Sequence, residues 1–245
     1  MLNIDSLRFP RYELPASLEP LRRDVRAFLA DALAPYSSVV RSNTWDGFDP
    51  DFSRKLGARG WLGMALPKQY GGHERSALER YVVVEETLAA GAPVGFHWIA
   101  DRQSGPVIAR YGTEEQKRKI IPGIAKGEIC FCIGMSEPNS GSDLASVRTR
   151  AERVADGWLV NGTKIWTSNA HRADYLIALF RTSPPTRENR RHGLTSFLVD
   201  MKNTKGITCN PIVQLSGLHE FNEVVFENAF MPDEHLLGEK DGAWK

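Results

Sequence analysis

Ile129-Cys130-Phe131-Cys132-Ile133-Gly134-Met135-Ser136-Glu137-Pro138-Asn139-Ser140-Gly141-Ser142-Asp143 separates two kinds of sequence. Its first seven residues are apolar or small and read as a strand. The rest is a turn rich in small residues and hydroxyls. Upstream, apolar residues recur at helical spacing: Leu18, Leu21, Val25, Phe28, Leu29 and Leu33 share one helix face, which Ser17 is placed to cap. Asp49-Pro50 is a cap followed by proline at the first helical position, with Gly57 and Gly60 closing that short element. Ser76-Ala77-Leu78-Glu79 and Thr113-Glu114-Glu115-Gln116 both have capping-box spacing. They open helices that run to about Ala90, before Gly91, and to near Gly127. The segment 95–111 reads as helical with a break at Pro106, and 66–72 as a loop.

Downstream the period falls towards two. The expected strands are 129–135, 146–155, 158–160, 164–168, 175–181, 194–200, 207–213 and 223–230. Asp156-Gly157 and Asn161-Gly162 are pairs preferred in two-residue hairpins. Segment 183–192 is a polar, basic loop. The expected fold class is α+β: an N-terminal all-helical domain, 1–128, then a small antiparallel β-barrel domain, 129–240, with 241–245 leading away from it.

The chain has 245 residues, 42% hydrophobic, enough apolar material for a sizeable core. Lys plus Arg is 31 and Asp plus Glu is 30, so the charge excess that backbone-driven nucleic-acid binding needs is missing. The apolar runs are too short for a membrane-spanning helix. Asp5 and Glu13 interleave with Arg8 and Arg11, unlike a signal or transit peptide. Three cysteines, Cys130, Cys132 and Cys209, form neither a disulfide framework nor a metal-ligand spacing. The expectation is a reducing, cytoplasmic setting and no metal site.

Two stretches carry chemistry. In 134–143, Pro138, Gly141 and the serines can bring backbone N–H groups close to the surface, where they cradle an anion such as a phosphate; a surface turn explains the same composition. Trp166-Thr167-Ser168-Asn169 ends a strand, which places Trp166 and Ser168 on one face. An aromatic face beside a hydroxyl suits a flat heterocycle; a core tryptophan beside a solvated serine is the plainer alternative. Glu137 and Asp143 read as acids that tie the turn to neighbouring backbone, and Cys130 and Cys132 as small core residues. The charges among His97, Trp98, Asp101 and Arg102 read as a solvated helix face, and those of Arg187, Arg190, Arg191 and His192 as a solvated loop.

Together these stretches resemble the acyl-CoA dehydrogenase family of flavoproteins. Residues 135–143 are similar to that family's first signature, and Asn161-Gly162-Thr163-Lys164-Ile165-Trp166-Thr167-Ser168-Asn169 to its second flavin-contacting strand. Pro67 to Gly72 resembles its proline–tyrosine–double-glycine loop, and Tyr111-Gly112-Thr113-Glu114-Glu115-Gln116-Lys117 the start of a helix in its N-terminal domain. Val224-Val225-Phe226-Glu227-Asn228, Pro232 and Leu236-Leu237-Gly238-Glu239 resemble the end of its middle domain. The resemblance runs in order along nearly the whole chain.

It implies FAD as cofactor and an acyl-CoA thioester as substrate, with α,β-dehydrogenation as the reaction. Met135 and Ser136 would meet the pyrimidine end of the isoalloxazine ring, Trp166 one face of it, and Ser168 the region of N5 and O4. Ile133, where some members carry an aromatic residue, would contribute backbone only. Gly141 would admit the flavin chain, and Ser142 would bind its pyrophosphate and border the acyl-CoA. The family usually has threonine where Ser168 stands, so the hydroxyl is kept and a methyl lost. His97, Trp98, Asp101 and Arg102 would lie on the helix bordering the acyl pocket, and the arginines of 187–191 could attract CoA phosphates. The family's catalytic base lies in a C-terminal four-helix bundle; the expectation is that this chain lacks it, with 241–245 as the start of the absent domain, so the resemblance assigns no base here. That leaves three expectations: a truncated or partial dehydrogenase, weakly active or inactive alone and prone to associate; a flavin-binding or scaffold subunit completed by a partner chain; or an acyl-CoA oxidase or flavin monooxygenase of the same fold. An electron-transfer flavoprotein is the implied acceptor for a dehydrogenase, and a homo-oligomer or a partner subunit the implied assembly.

Overall fold

The computed structural model describes residues 13–244. Asp5, Arg8 and Arg11, used above against a leader peptide, lie outside the described residues, as does Lys245.

Helices fill the first half: α1 (Glu19–Ala32), α2 (Ser38–Arg41), α3 (Pro50–Ala58), α4 (Ala77–Ala89), α5 (Gly105–Tyr111) and α6 (Glu114–Lys126). Both expected capping boxes form. Ser76 and Glu79 exchange side-chain and backbone bonds at the start of α4, and Thr113 and Gln116 do so at α6. Asp49 caps α3 by accepting from the Phe52 amide at 2.9 Å. Ser17 does not cap α1: Ala16–Leu18 is a 3₁₀ turn, and α1 starts after Leu18 with Pro20 in its first turn. Proline fixes φ there, so the helix enters without a side-chain cap. The segment 95–111 divides into turns, a π-helical turn (Ala100–Ser104) and α5, with Pro106 among the first residues of α5. The helical core gathers Val25 and Leu29 of α1 and Leu33 just after it with Phe52, Leu56 and Met64.

The second half is an eight-stranded sheet: β1 (Phe131–Gly134), β2 (Arg150–Val154), β3 (Gly157–Ser168), β4 (Tyr175–Arg181), β5 (Leu194–Asp200), β6 (Ile207–Pro211), β7 (Phe221–Pro232) and β8 (Leu236–Leu237). Its order is β6-β7-β3-β2-β4-β5-β8, with β1 beside β4. Most pairings are antiparallel. Two are not: β1 runs parallel to β4, and β2 meets β4 in parallel at Arg150–Arg181. The sheet wraps around Trp158, Leu176, Phe180, Phe197, Phe226 and Met231. β4 is buried on both faces: Leu176, Ala178 and Phe180 enter this core, while Ile177 joins Leu198 and Phe131 against Ile120, Ile121 and Ile124 of α6. That second cluster seats the helices on the sheet, and burial of this kind contributes about 25 cal/mol per Å² of apolar surface.

The two glycine-containing pairs are not where the hairpins turn. Val154 pairs with Gly157, so Ala155 and Asp156 make the β2–β3 turn. Gly157 is already in strand, where an added Cβ would lie 2.4 Å from the Met231 carbonyl oxygen. Asn161-Gly162 lies inside β3, which is one twelve-residue strand and not the two expected. The β3–β7 register shifts between Val160 and Gly162 and again between Lys164 and Thr167. These are bulges, and glycine at the first serves the kink.

Candidate functional site

The second bulge shapes the site. Lys164 and Thr167 are both fully buried, three residues apart, which plain alternation forbids. Between them Trp166 takes φ +60 and stands 57% exposed, while Ser168 is half-buried. Trp166 and Ser168 therefore lie on the side opposite Thr167, as expected, but by way of a bulge. A positive φ at a tryptophan is a costly backbone state that surrounding structure must hold. The indole packs edge-on against Phe221, centroids 6.1 Å apart at 83°.

The turn after β1 is fastened to this strand. The Ile165 amide donates to the Ser136 carbonyl at 2.9 Å. The Lys164 ammonium donates to the Met135 carbonyl at 3.1 Å and to Glu137 Oε1 at 2.8 Å. Glu137 also accepts from the amides of Arg148 at 2.6 Å and Thr149 at 2.9 Å, and its backbone forms a bridge with Ser140. Glu137 thus ties the turn down, as its composition suggested. Burial opposes its charge, yet Lys164 and the two amides hold it below the usual carboxylate range. Burial brings the Lys164 ammonium down to about 8, with Glu137 opposing the shift. Both groups are charged at neutral pH. The role of Lys164 escaped the sequence analysis; its signal is a lysine at an inward position between bulges.

Beyond the turn, Gly141 and Ser142 are exposed, and a Cβ added to Gly141 would meet nothing within 4 Å. Asp143 pairs with Arg190 at 2.7 Å, and Arg191 lies over the Trp244 ring at 4.9 Å. The 183–192 loop is therefore anchored at Arg190 and Arg191. Arg181 anchors it further by donating to the carbonyls of His192 at 2.5 Å, Ala145 at 2.7 Å and Val147 at 3.3 Å. A cleft of about 910 Å³ beside this loop is lined by Ser146, Arg148, Arg150, Arg153, Arg181 and Arg190.

A second cleft, about 550 Å³, separates α5 from the sheet. Gln103, Val107 and Tyr111 line one wall, and Ile133, Met135 and Ile177 another. Of the expected site residues, Ile133 and Met135 border this cleft. Ser136 joins them through the turn, and Trp166 and Ser168 through the Ile165–Ser136 bond. Gly141 and Ser142 sit out towards the basic loop.

The solvated-face reading of 97–102 holds for Arg102, which is exposed, but not for His97 and Asp101. His97 and Asp101 are buried. His97 Nδ1 meets Ser53 Oγ at 2.8 Å, and Asp101 accepts from the Gly63 amide and from Arg80, both at 2.7 Å. Burial lowers the His97 imidazole to about 4, against the pull of Asp101. Partners from elements far away in sequence turn a polar face inward. Cys130 and Cys132 are buried core residues, as read, and burial pushes the Cys130 thiol up to about 12.

Among the described residues no cluster of His, Cys, Asp or Glu could hold a metal ion, and no helix is long and apolar enough to cross a membrane.

Comparison with known proteins agrees with this arrangement. The family model for the acyl-CoA dehydrogenase N-terminal domain matches residues 16–128, and that for its middle domain residues 132–229. Acyl-CoA dehydrogenase FadE26 of Mycobacterium tuberculosis is 35% identical over 232 residues, covering 93% of this chain and 57% of its own length. The ChsE4-ChsE5 complex from Mycobacterium tuberculosis superposes with TM-score 0.83 at 32% identity, over 96% of this chain and 60% of that one. A glutaryl-CoA dehydrogenase from Mycobacterium smegmatis, in complex with FADH2, superposes with TM-score 0.76 at 28% identity, over 94% and 57%. The chain spans a little under two thirds of the length of these relatives. Fold, order of motifs and both domain matches agree: the chain belongs to the acyl-CoA dehydrogenase family, with that family's N-terminal and middle domains.

Proposed function

We propose that this chain supplies the flavin-facing half of an FAD-dependent acyl-CoA dehydrogenase. The observation that carries the reading is the Ile165–Ser136 bond. It brings the Met135-Ser136 turn against the strand that presents Trp166 and Ser168. An exposed indole, a hydroxyl two residues on and an adjoining turn are the parts a flat tricyclic ring needs: a stacking face, a hydrogen-bond donor and an edge of peptide groups.

FAD, when bound, supplies the hydride-accepting centre for removal of hydrogen from the thioester β-carbon. In this reading Trp166 lies against the ring, Ser168 bonds near its N5 and O4, and Met135 and Ser136 contact its pyrimidine end. Ile133 lends backbone, Gly141 gives room for the flavin chain, and Ser142 reaches the pyrophosphate and the acyl-CoA. The division at 128/129 separates substrate-bordering helices from the flavin-facing sheet. No residue in the described chain is assigned as the α-proton base. The base belongs to the helical bundle that completes family members, whether on the same polypeptide or in a partner subunit. That the similar ChsE4-ChsE5 protein is a complex favours the second arrangement. An electron-transfer flavoprotein is the proposed acceptor.

The test is anaerobic addition of mixed acyl-CoAs to the protein preincubated with FAD. A shift of the visible flavin band by acyl-CoA without bleaching, and none by free fatty acids, supports the reading; bleaching would place the α-proton base in this chain. A band indifferent to acyl-CoA contradicts it.

A further inference from the structure

The two flavin-facing stretches are joined by a side chain that itself reaches no surface. Lys164 has no solvent exposure, so it cannot touch a bound ligand. Its Nζ spans from the Met135 carbonyl to Glu137 Oε1. Glu137 in turn holds the start of β2 through the amides of Arg148 and Thr149. Two residues further along β3, Trp166 takes its positive φ, inside the register shift that begins at Lys164. One ammonium therefore sets the turn at 135–137 relative to the bulge at 165–167.

We propose that Lys164 is a positioning residue for the flavin: paired with Glu137, it fixes the distance between the Met135-Ser136 peptide and Trp166, and so sets cofactor affinity without contacting the cofactor. This rests on the flavin reading above. A purely structural role is the competing account, because breaking a buried ion pair strands the remaining charge, whereas removing both charges is often nearly neutral. That asymmetry separates the two. Lys164→Met leaves the Glu137 carboxylate buried and unpaired. Lys164→Met combined with Glu137→Gln removes both charges and keeps one acceptor oxygen, enough for one of the two amides of Arg148 and Thr149.

The pH dependence adds a readout specific to lysine. The charged and titratable groups facing Lys164 are Glu137 from the turn and Arg181 from β4, with the Phe180 ring 5.7 Å from Nζ. Arg181 stays cationic and Glu137 anionic through mild alkali, so Lys164 is the group that loses its proton first. FAD affinity of the parent should fall as pH rises through about 8, and this fall should vanish in the double variant.

The experiment is FAD titration, by quenching of flavin fluorescence, of the parent, Glu137→Gln, Lys164→Met and the double variant, alongside thermal unfolding of each apoprotein. The expected result is that the double variant regains most of the unfolding midpoint lost in Lys164→Met, yet still binds FAD at least roughly tenfold more weakly than the parent, the scale of a misplaced supporting residue. Recovery of FAD affinity together with stability would overturn the proposal, as would parental affinity in Lys164→Met. Should the parent take up no FAD, the flavin reading itself fails. The positioning claim is then decided on the apoprotein by amide NMR shifts of Met135, Ser136 and Trp166. Concerted movement of all three in the double variant relative to Glu137→Gln sustains it, and unchanged shifts refute it.

Discussion

Trp166 stands edge-on to Phe221, ring centroids 6.1 Å apart, and this contact holds an exposed indole in a backbone state that tryptophan rarely adopts. Phe221→Ala should free the indole. The expected loss is roughly 2- to 12-fold in FAD affinity, equivalent to the 0.5–1.5 kcal/mol that such aromatic pairs contribute. Parallel fluorescence titrations of parent and variant would measure it. Unchanged affinity would mean that Phe221 does not prop the ring.

Burial holds the His97 imidazole at about 4, against about 6.5 when unfolded. The unfolded chain therefore binds the proton more readily. Stability is full above about pH 6.5 and is lost as pH falls from there towards about 4, by a total on the order of 3 kcal/mol. Urea unfolding at a series of pH values should show this slope, and His97→Gln should flatten it. A slope unchanged in the variant would assign it to other groups.

Gly162 has φ +142, and a side chain there would meet Thr149 Oγ1 at 2.6 Å. Gly162→Val should cost at least about 1–3 kcal/mol from backbone strain alone. It should also weaken FAD binding, because the shift between Val160 and Gly162 sets the phase of the rest of β3. Chemical denaturation reads the first effect and FAD titration the second.

Asp49 caps α3 through the Phe52 amide and also accepts the Tyr36 hydroxyl. Asp49→Ala should lower stability by about 1–2 kcal/mol, with the cap supplying most of it. Asp49→Asn, which keeps the cap, should recover most of the loss in the same denaturation assay.

What could be read in advance was what is local. The boxes at Ser76 and Thr113 each need four consecutive residues, and both form. Strands 175–181 and 194–200 coincide with β4 and β5 because their apolar residues are dense and each ends on a charged residue, Arg181 and Asp200. Asn161-Gly162 has the composition of a tight turn, but pairing with β7 on one side and Thr149 on the other keeps it in a bulged strand. The parallel pairing of β1 with β4 joins residues more than forty positions apart, which no local pattern reports. His97 and Asp101 gave the same difficulty: their partners Ser53, Gly63 and Arg80 come from other elements, and the polar spacing alone looked solvated. In the candidate site, the family resemblance singles out the turn and the strand that the Ile165–Ser136 bond joins. The role of Lys164 was not legible, because an inward lysine has meaning only once Glu137 is known to face it.

The most direct measurement of the central claim is the visible absorption spectrum of the purified chain after FAD is added and unbound cofactor is removed by gel filtration. The account predicts retained flavin with a resolved, shifted band, and loss of most of that flavin in Trp166→Ala. A protein that elutes colourless after saturation with FAD, or that holds flavin equally well without the indole, would contradict it.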